Sequence, residues 1–304
     1  MSILAGLLSF PSGKFVTEGE AHLGDKPVQA TSRTLLIAIS CALLPACSHS
    51  DAALGQTTAT QRLVSIKSEA MSADYRADLP TLTRLREEAL ALAQAPDVGY
   101  LARYWAGYCS WRIAINGANA GMSNDDVTAH LQRALVDFES SLHQRDDFAD
   151  AYAAAASVTA WLAVLYQRDA HAMQGSFSRS RQLLSRAREL APENPRVLWV
   201  VGGVYLFAPA ERGGSKERAI QIYRQMAEVA EAAGPSNSPL PDWGRPEALM
   251  SLAFAHQQQS PPDLESAERE AREALRLQPD WHYVRDILLP QIEDARAHKV
   301  GALH

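Results

Sequence analysis

The sequence predicts an all-α protein assembled from antiparallel helix pairs, on three observations. From about Leu79 onward, apolar residues recur at helical spacing between breaks rich in Gly, Pro and Asn. Alternating runs of Val, Ile and Thr, the mark of half-buried strands, are lacking over the same stretch. Composition is that of an ordinary globular chain, with 47% hydrophobic and 21% charged residues over 304 positions.

Ahead of the helices the chain reads as three segments. Residues 28–47 have the layout of a secretory signal: Arg33, an apolar core from Leu35 to Leu44, then small residues ending at Cys47. That core is about half of the ~20 residues a helix needs to cross a bilayer, so export is expected rather than a membrane span. Residues 1–27 precede a signal that normally starts within a few residues of the initiator. They carry Gly, Pro, Lys and Glu without sustained periodicity, so translation is expected to begin further down, for instance at Val28. Residues 48–60, rich in Ser, Thr, Ala, Gly and Gln, read as a flexible tether ahead of a domain over residues 61–304. Leu44-Pro45-Ala46-Cys47 resembles the bacterial lipobox, with Pro45 where a small or hydroxyl residue is usual. The resemblance implies a membrane anchor through lipid on Cys47; a buried first helix with an incidental cysteine and ordinary secretion are the alternatives. The three cysteines, Cys41, Cys47 and Cys109, form no C-x-x-C pair, so neither a metal site nor a disulfide scaffold is expected.

Helices are expected over residues 79–94, 100–115, 125–143, 149–167, 177–190, 195–207, 215–233, 246–258, 263–277 and 281–298. Short connections between many of them favour antiparallel neighbours. One spacing recurs among them. Ala267, Ala271, Ala274 and Pro279 are separated by 4, 3 and 5 residues; Ser180, Leu184, Ala187 and Pro192 repeat this, as do Ala134, Phe138, Ser141 and Asp146. The first three of each set share one helical face, and most are small enough to admit a neighbouring helix closely. Ala219, Tyr223 and Met226 keep the 4 and 3 spacing without the proline, and Ala156 and Gly202 fall at small positions of the intervening helices.

Together these marks resemble the tetratricopeptide repeat, a helix–turn–helix unit of ~34 residues. The resemblance implies a right-handed solenoid of helical hairpins, here with long loops inside the repeats, since Asp146, Pro192 and Pro279 lie farther apart than one repeat length. Residues 116–124, 168–176, 208–214 and 259–262 are expected to share one rim of the solenoid, and residues 234–244 the other, with Trp243 plugging its edge. The grouping Asn194-Pro195-Arg196, Gly213-Gly214 and Pro241-Asp242-Trp243-Gly244 is similar to that of some bacterial secreted members. The last helix, beginning at Trp281, lacks the small residues and reads as a cap.

Lys and Arg total 29 against 35 Asp and Glu, a net charge of −6, which disfavours a nucleic-acid partner. No H-E-x-x-H, G-x-x-x-x-G-K-[ST] or G-x-S-x-G motif is present, and the nine histidines are scattered. No catalytic residue, cofactor or metal is therefore assigned. Arg212-Gly213-Gly214-Ser215 reads as a turn and helix cap rather than a phosphate cradle, for lack of a preceding strand. The resemblance implies a concave groove lined by the first helix of each pair. Asp150, Trp161, Arg196, Trp199, Phe207, Glu247 and Phe254 fall on or beside it and form the candidate partner-binding set, since aromatic and Arg anchors dominate interfaces. The alternative is that these aromatics fill the interior of a tightly coiled array. The expected role is a non-enzymatic, lipid-anchored scaffold in the bacterial cell envelope that binds a protein or peptide. A small-molecule-binding component of an envelope transport system, with a sealed pocket at Trp161, Trp199 and Phe207, is the alternative.

Overall fold

The computed structural model describes residues 49–301. Residues 1–27 and 28–47, read above as a leader and a signal segment, and with them Cys47, the expected site of lipid attachment, lie outside the described residues. Among the described residues there are eleven helices and no strand. They are α1 (His49–Tyr75), α2 (Leu79–Ala91), α3 (Gly99–Asn119), α4 (Asn124–Gln144), α5 (Ala149–Leu165), α6 (Ala170–Leu190), α7 (Pro195–Phe207), α8 (Lys216–Ala233), α9 (Arg245–Gln257), α10 (Leu264–Leu277) and α11 (Leu289–Gly301). A π-helical turn over Tyr283–Leu288 leads into α11, just ahead of Pro290, which has no N–H to continue a regular ladder.

Side-chain caps set many of the helix starts. Asp78, Ser123, Asp169, Asn194, Ser215 and Asp263 each accept a backbone N–H from the first turn of the helix that follows. Asp169 caps α6 by accepting from the N–H groups of His171 and Ala172, so the helix opens at Ala170 and absorbs most of the loop expected over residues 168–176. That first stretch has no apolar stripe to announce it. Likewise α3 runs on to Asn119, shortening the loop expected after Ile115.

The stretch expected as a tether is helical from His49 onward, as the beginning of α1. Its Ala, Gln and Thr residues permit helix without signalling it. The helix is anchored downstream by Leu63, Ile66, Ala70 and Ala73, all fully buried.

Each helix packs on the next in sequence, and the odd-numbered helices also touch one another in order: α1 on α3, α3 on α5, α5 on α7, α7 on α9. The fold is an all-α solenoid of helical hairpins, with the odd helices forming its inner layer. The recurring residues supply the packing. Ala134, Phe138, Ser141, Ala187, Ala267, Ala271, Ala274, Ala219 and Met226 are buried at or near zero exposure. Two hairpins share one small-to-large device. A Cβ on Gly107 of α3 would lie 2.8 Å from the Phe138 ring of α4, and one on Gly202 of α7 would run into the Tyr223 ring of α8. Phe138 and Tyr223 hold the same register position, so each ring presses on bare backbone of the partner helix.

The cap expected at the C-terminus is present. Trp281, Val284, Leu288 and Ile292 lay a buried stripe against Ala267, Ala271 and Ala274, making a second core distinct from the main one. Tyr75, at the end of α1, belongs to this second core, its ring 5.0 Å from that of Trp281. The array therefore bends until its first helix meets its last pair.

Candidate functional site: the inner face

Helix α3 is buried on nearly every side, and Tyr104, Trp105, Tyr108 and Trp111 stand on it within a few turns. Trp111 meets Trp199 of α7 edge-on at 5.7 Å between ring centroids, although α5 lies between their helices in chain order. Both also meet Trp243, at 6.3 Å and 5.8 Å. Trp243 belongs to residues 234–244, the segment joining α8 to α9. This segment does not lie on a rim as expected. It turns inward as a strap across the inner face, because its side chains find partners there that its loop-like composition does not advertise.

Those partners come from distant helices. The Trp105 indole donates to the Pro239 carbonyl at 2.8 Å, and the Trp243 indole to the Tyr104 hydroxyl at 3.2 Å. Lys67 of α1, 4% exposed, donates its ammonium to the Ser236 carbonyl at 2.6 Å and pairs with Asp242 at 2.7 Å. Arg196 donates to the Trp243 carbonyl at 3.2 Å. Pro239, Pro241 and Trp243 are buried while Ser236, Asn237 and Leu240 face solvent, so the strap is seated on one side only.

The candidate residues divide into two groups. Asp150, Arg196, Trp199 and Glu247, expected to line an open groove, are turned toward one another and the strap. Asp150 accepts from Arg196 Nε at 2.5 Å and from Asn194 Nδ2 at 3.0 Å. Trp199 Nε1 donates to Ser251 Oγ at 3.1 Å. Glu247 accepts from the Tyr75 hydroxyl at 2.7 Å and, across the start of its own helix, from the Gly244 N–H at 2.8 Å. Their hydrogen-bonding capacity is committed internally, since a buried charge left without a partner costs several kcal/mol. Trp161, Phe207 and Phe254 lie toward the C-terminal ends of α5, α7 and α9 and are partly buried, as Trp199 is, but no strap or first helix covers them. The Phe207 and Phe254 rings are 6.0 Å apart, Trp161 packs on the main core, and Val204 is 50% exposed one turn before Phe207.

Sequence reasoning missed the contribution of α1. Asp74 accepts from Arg112 Nε at 2.7 Å, Tyr108 Oη at 3.1 Å and Asn116 Nδ2 at 2.8 Å, tying α1 to α3. Tyr75 ties it to α9. Burial, and then the neighbouring Glu247 carboxylate, push the Tyr75 phenol well above its ordinary value, so it stays a donor. Burial also raises the Glu247 carboxyl above the usual glutamate range. The Cys109 thiol is raised strongly for the same reason, which removes its nucleophilic form at neutral pH.

Two histidines have local partners: His256 Nδ1 meets Gln259 Oε1 at 3.0 Å, its buried Nε2 having no partner among the described residues, and His282 pairs with Asp286 at 2.7 Å. Ser215 caps α8, and Gly213 takes the left-handed turn at φ 85, as the turn-and-cap reading requires. A cavity of about 500 Å³ lies between α4, α5 and α6, lined by Leu142, Tyr152, Arg179, Leu183 and Arg186 among others, and includes none of the candidate residues.

No family model and no curated protein matches the chain. Among solved structures it is similar to a thermophilic TPR protein of Thermus thermophilus, with 17% identity and a TM-score of 0.40, over 82% of this chain and 98% of that one.

Proposed function

We propose that this chain is a non-enzymatic helical-repeat scaffold, held in the bacterial cell envelope by lipid on Cys47, which binds a protein or peptide through the inner face of its solenoid. The observation that carries the reading is a group of apolar side chains toward the ends of three inner helices that still reach solvent, Val204 at 50% exposure and Trp161, Phe207 and Phe254 to a lesser degree. These sit beside a base whose polar groups are already paired, so binding energy there comes from apolar burial on a rigid support. Aromatic side chains held this way lose little conformational entropy on binding. The acidic balance of the chain supports a protein partner over a nucleic acid.

The test uses the full-length chain in a bacterial host that processes lipoproteins. Chemical crosslinking in intact cells is expected to yield a defined adduct that is lost in a Phe207→Ala/Phe254→Ala variant with unchanged circular dichroism. An adduct pattern indifferent to both substitutions would overturn the binding face. Cys47→Ser is expected to move the protein from the membrane to the soluble fraction. Persistence in the membrane fraction, or no incorporation of labelled palmitate by the unaltered chain, would overturn the anchor.

A further inference from the structure

We propose that the cavity of about 500 Å³ between α4, α5 and α6 binds a small amphipathic monocarboxylate, a compound with one carboxylate on a short hydrocarbon body. The cavity contains none of Trp161, Phe207 and Phe254, and the proposal stands apart from the scaffold reading. The outer helices α4 and α6 both pack on α5 and leave a slot between them, with Leu142 and Leu183 on its apolar walls and Leu183 only 3% exposed. Its volume lies within the ~300–1,000 Å³ usual for small-ligand sites.

Helical spacing sets the chemistry of the lining. Arg179, Leu183 and Arg186 are successive members of one face of α6, so an apolar residue stands between two guanidinium groups at the cavity wall. Glu139 and Leu142 stand opposite on α4, and Tyr152 enters from the first turn of α5. Cations gather here against the trend of the chain: α6 carries Arg179, Arg181, Arg186 and Arg188 with Glu189 as its only acid, whereas the whole chain has a net charge of −6. Their present partners hold the two lining arginines weakly. Arg179 meets Glu139 at 3.5 Å and Arg186 meets Glu189 at 3.2 Å, and the four side chains are 44–60% exposed. Pairs this exposed contribute little, so a carboxylate can take a guanidinium fork in bidentate fashion without loss to the fold. Two arginines against Glu139 suit a monoanion and work against a doubly charged phosphate monoester. The hydrocarbon body then covers Leu142, Leu183 and the Tyr152 ring, removing apolar surface from water.

The probe is octanoate, titrated calorimetrically into the full-length Cys47→Ser chain, which carries no lipid of its own to compete. Saturable binding at one site is expected, with 1-octanol, the uncharged compound of the same length, binding roughly tenfold or more weakly, the scale of a lost charge-assisted hydrogen bond. An Arg179→Gln/Arg186→Gln variant is expected to lose octanoate affinity by a similar factor, and the Phe207→Ala/Phe254→Ala variant to keep it. No saturable octanoate binding, equal affinity for 1-octanol, or full affinity in the arginine variant would overturn the site. Loss of affinity in the Phe207 and Phe254 variant would move it to the inner face and overturn it equally. Tighter binding of octyl phosphate than of octanoate would overturn the choice of a monocarboxylate. Both arginines are about half exposed, so the variant is expected to keep its circular dichroism. Should it not, the comparison of octanoate with 1-octanol and octyl phosphate on the chain with both arginines intact decides. The scaffold reading stands or falls separately, on the crosslinking result.

Discussion

The two ends of the inner helices hold similar residue types and put them to different uses. At the N-terminal ends of α5, α7 and α9, Asp150, Arg196, Trp199 and Glu247 are held by neighbouring inner helices, by α1 and α3 and by the strap, with Trp199 and Arg196 staying partly exposed. At the C-terminal ends, Trp161, Phe207 and Phe254 pack on one side and meet water on the other. An aromatic on an inner helix is therefore not by its nature a binding group. What decides is whether another part of the same chain reaches it. The strap and α1 reach one end only, leaving the other open.

The largest test of this contrast is Trp111→Ala. Trp111 is 1% exposed and touches Trp199, Trp243, Tyr108 and Phe138. Its removal is expected to cost about 3–5 kcal/mol, read as a drop in the urea midpoint. Phe207→Ala, where the ring is only partly buried, is expected to cost less, about 2–3 kcal/mol, because part of its transfer free energy is never gained. Equal losses would erase the distinction between the two ends. Trp199→Ala should fall between them, since its indole both packs on Trp111 and Trp243 and donates to Ser251.

Gly202→Ala ranks next. The added methyl would overlap a Tyr223 ring that is itself 3% exposed and hemmed in by its hairpin. Overpacking of this kind is expected to cost roughly 1–3 kcal/mol in thermal or chemical denaturation. Gly203→Ala serves as the control, because its nearest neighbour, the Tyr223 hydroxyl, would be 3.8 Å away. Equal midpoints for the two variants would show that α7 and α8 are not in the tight register described.

Most of the helices are legible in the sequence because their signals are local. Asn194 and Pro195 mark a helix start wherever the chain goes, and the stripe Ala267, Ala271, Ala274 declares a buried face without naming its neighbour. The inner face is legible only by residue type. Asp150 and Arg196 read from the sequence as groove residues, but not as each other's partners. Nothing in a loop of Pro, Ser and Gly says that Pro239 will meet Trp105, 134 residues away, or that Asp242 will meet Lys67, 175 residues away. Contacts at that range depend on how far the array curls, which follows from many small interhelical angles and not from a pattern at any one place. The early turns of α1 are illegible for the opposite reason: small polar residues permit both helix and tether, and only packing downstream decides.

The smallest expected effect probes the contact that closes the array. Glu247 is 7% exposed, and burial raises its carboxyl above the ordinary value of 4.5 despite donors from Tyr75 and the Gly244 N–H. A carboxyl whose pKa is higher in the folded than in the unfolded state binds more protons when folded. Its stabilising contribution is thus complete below the unfolded value and declines as pH rises through the folded one. Relative to Glu247→Gln, which cannot titrate, the unaltered chain should lose stability as pH is raised from roughly 4 to 8. Melting temperatures of both proteins across that range measure the difference directly. The same series in a Tyr75→Phe background separates two causes. Without the phenol the carboxylate has one donor fewer, so the folded pKa should climb and the loss should extend to higher pH. A difference between the unaltered and Glu247→Gln chains that grows with pH in favour of the glutamate would mean that the donors outweigh burial, and that α1 holds α9 through a charge the array stabilises.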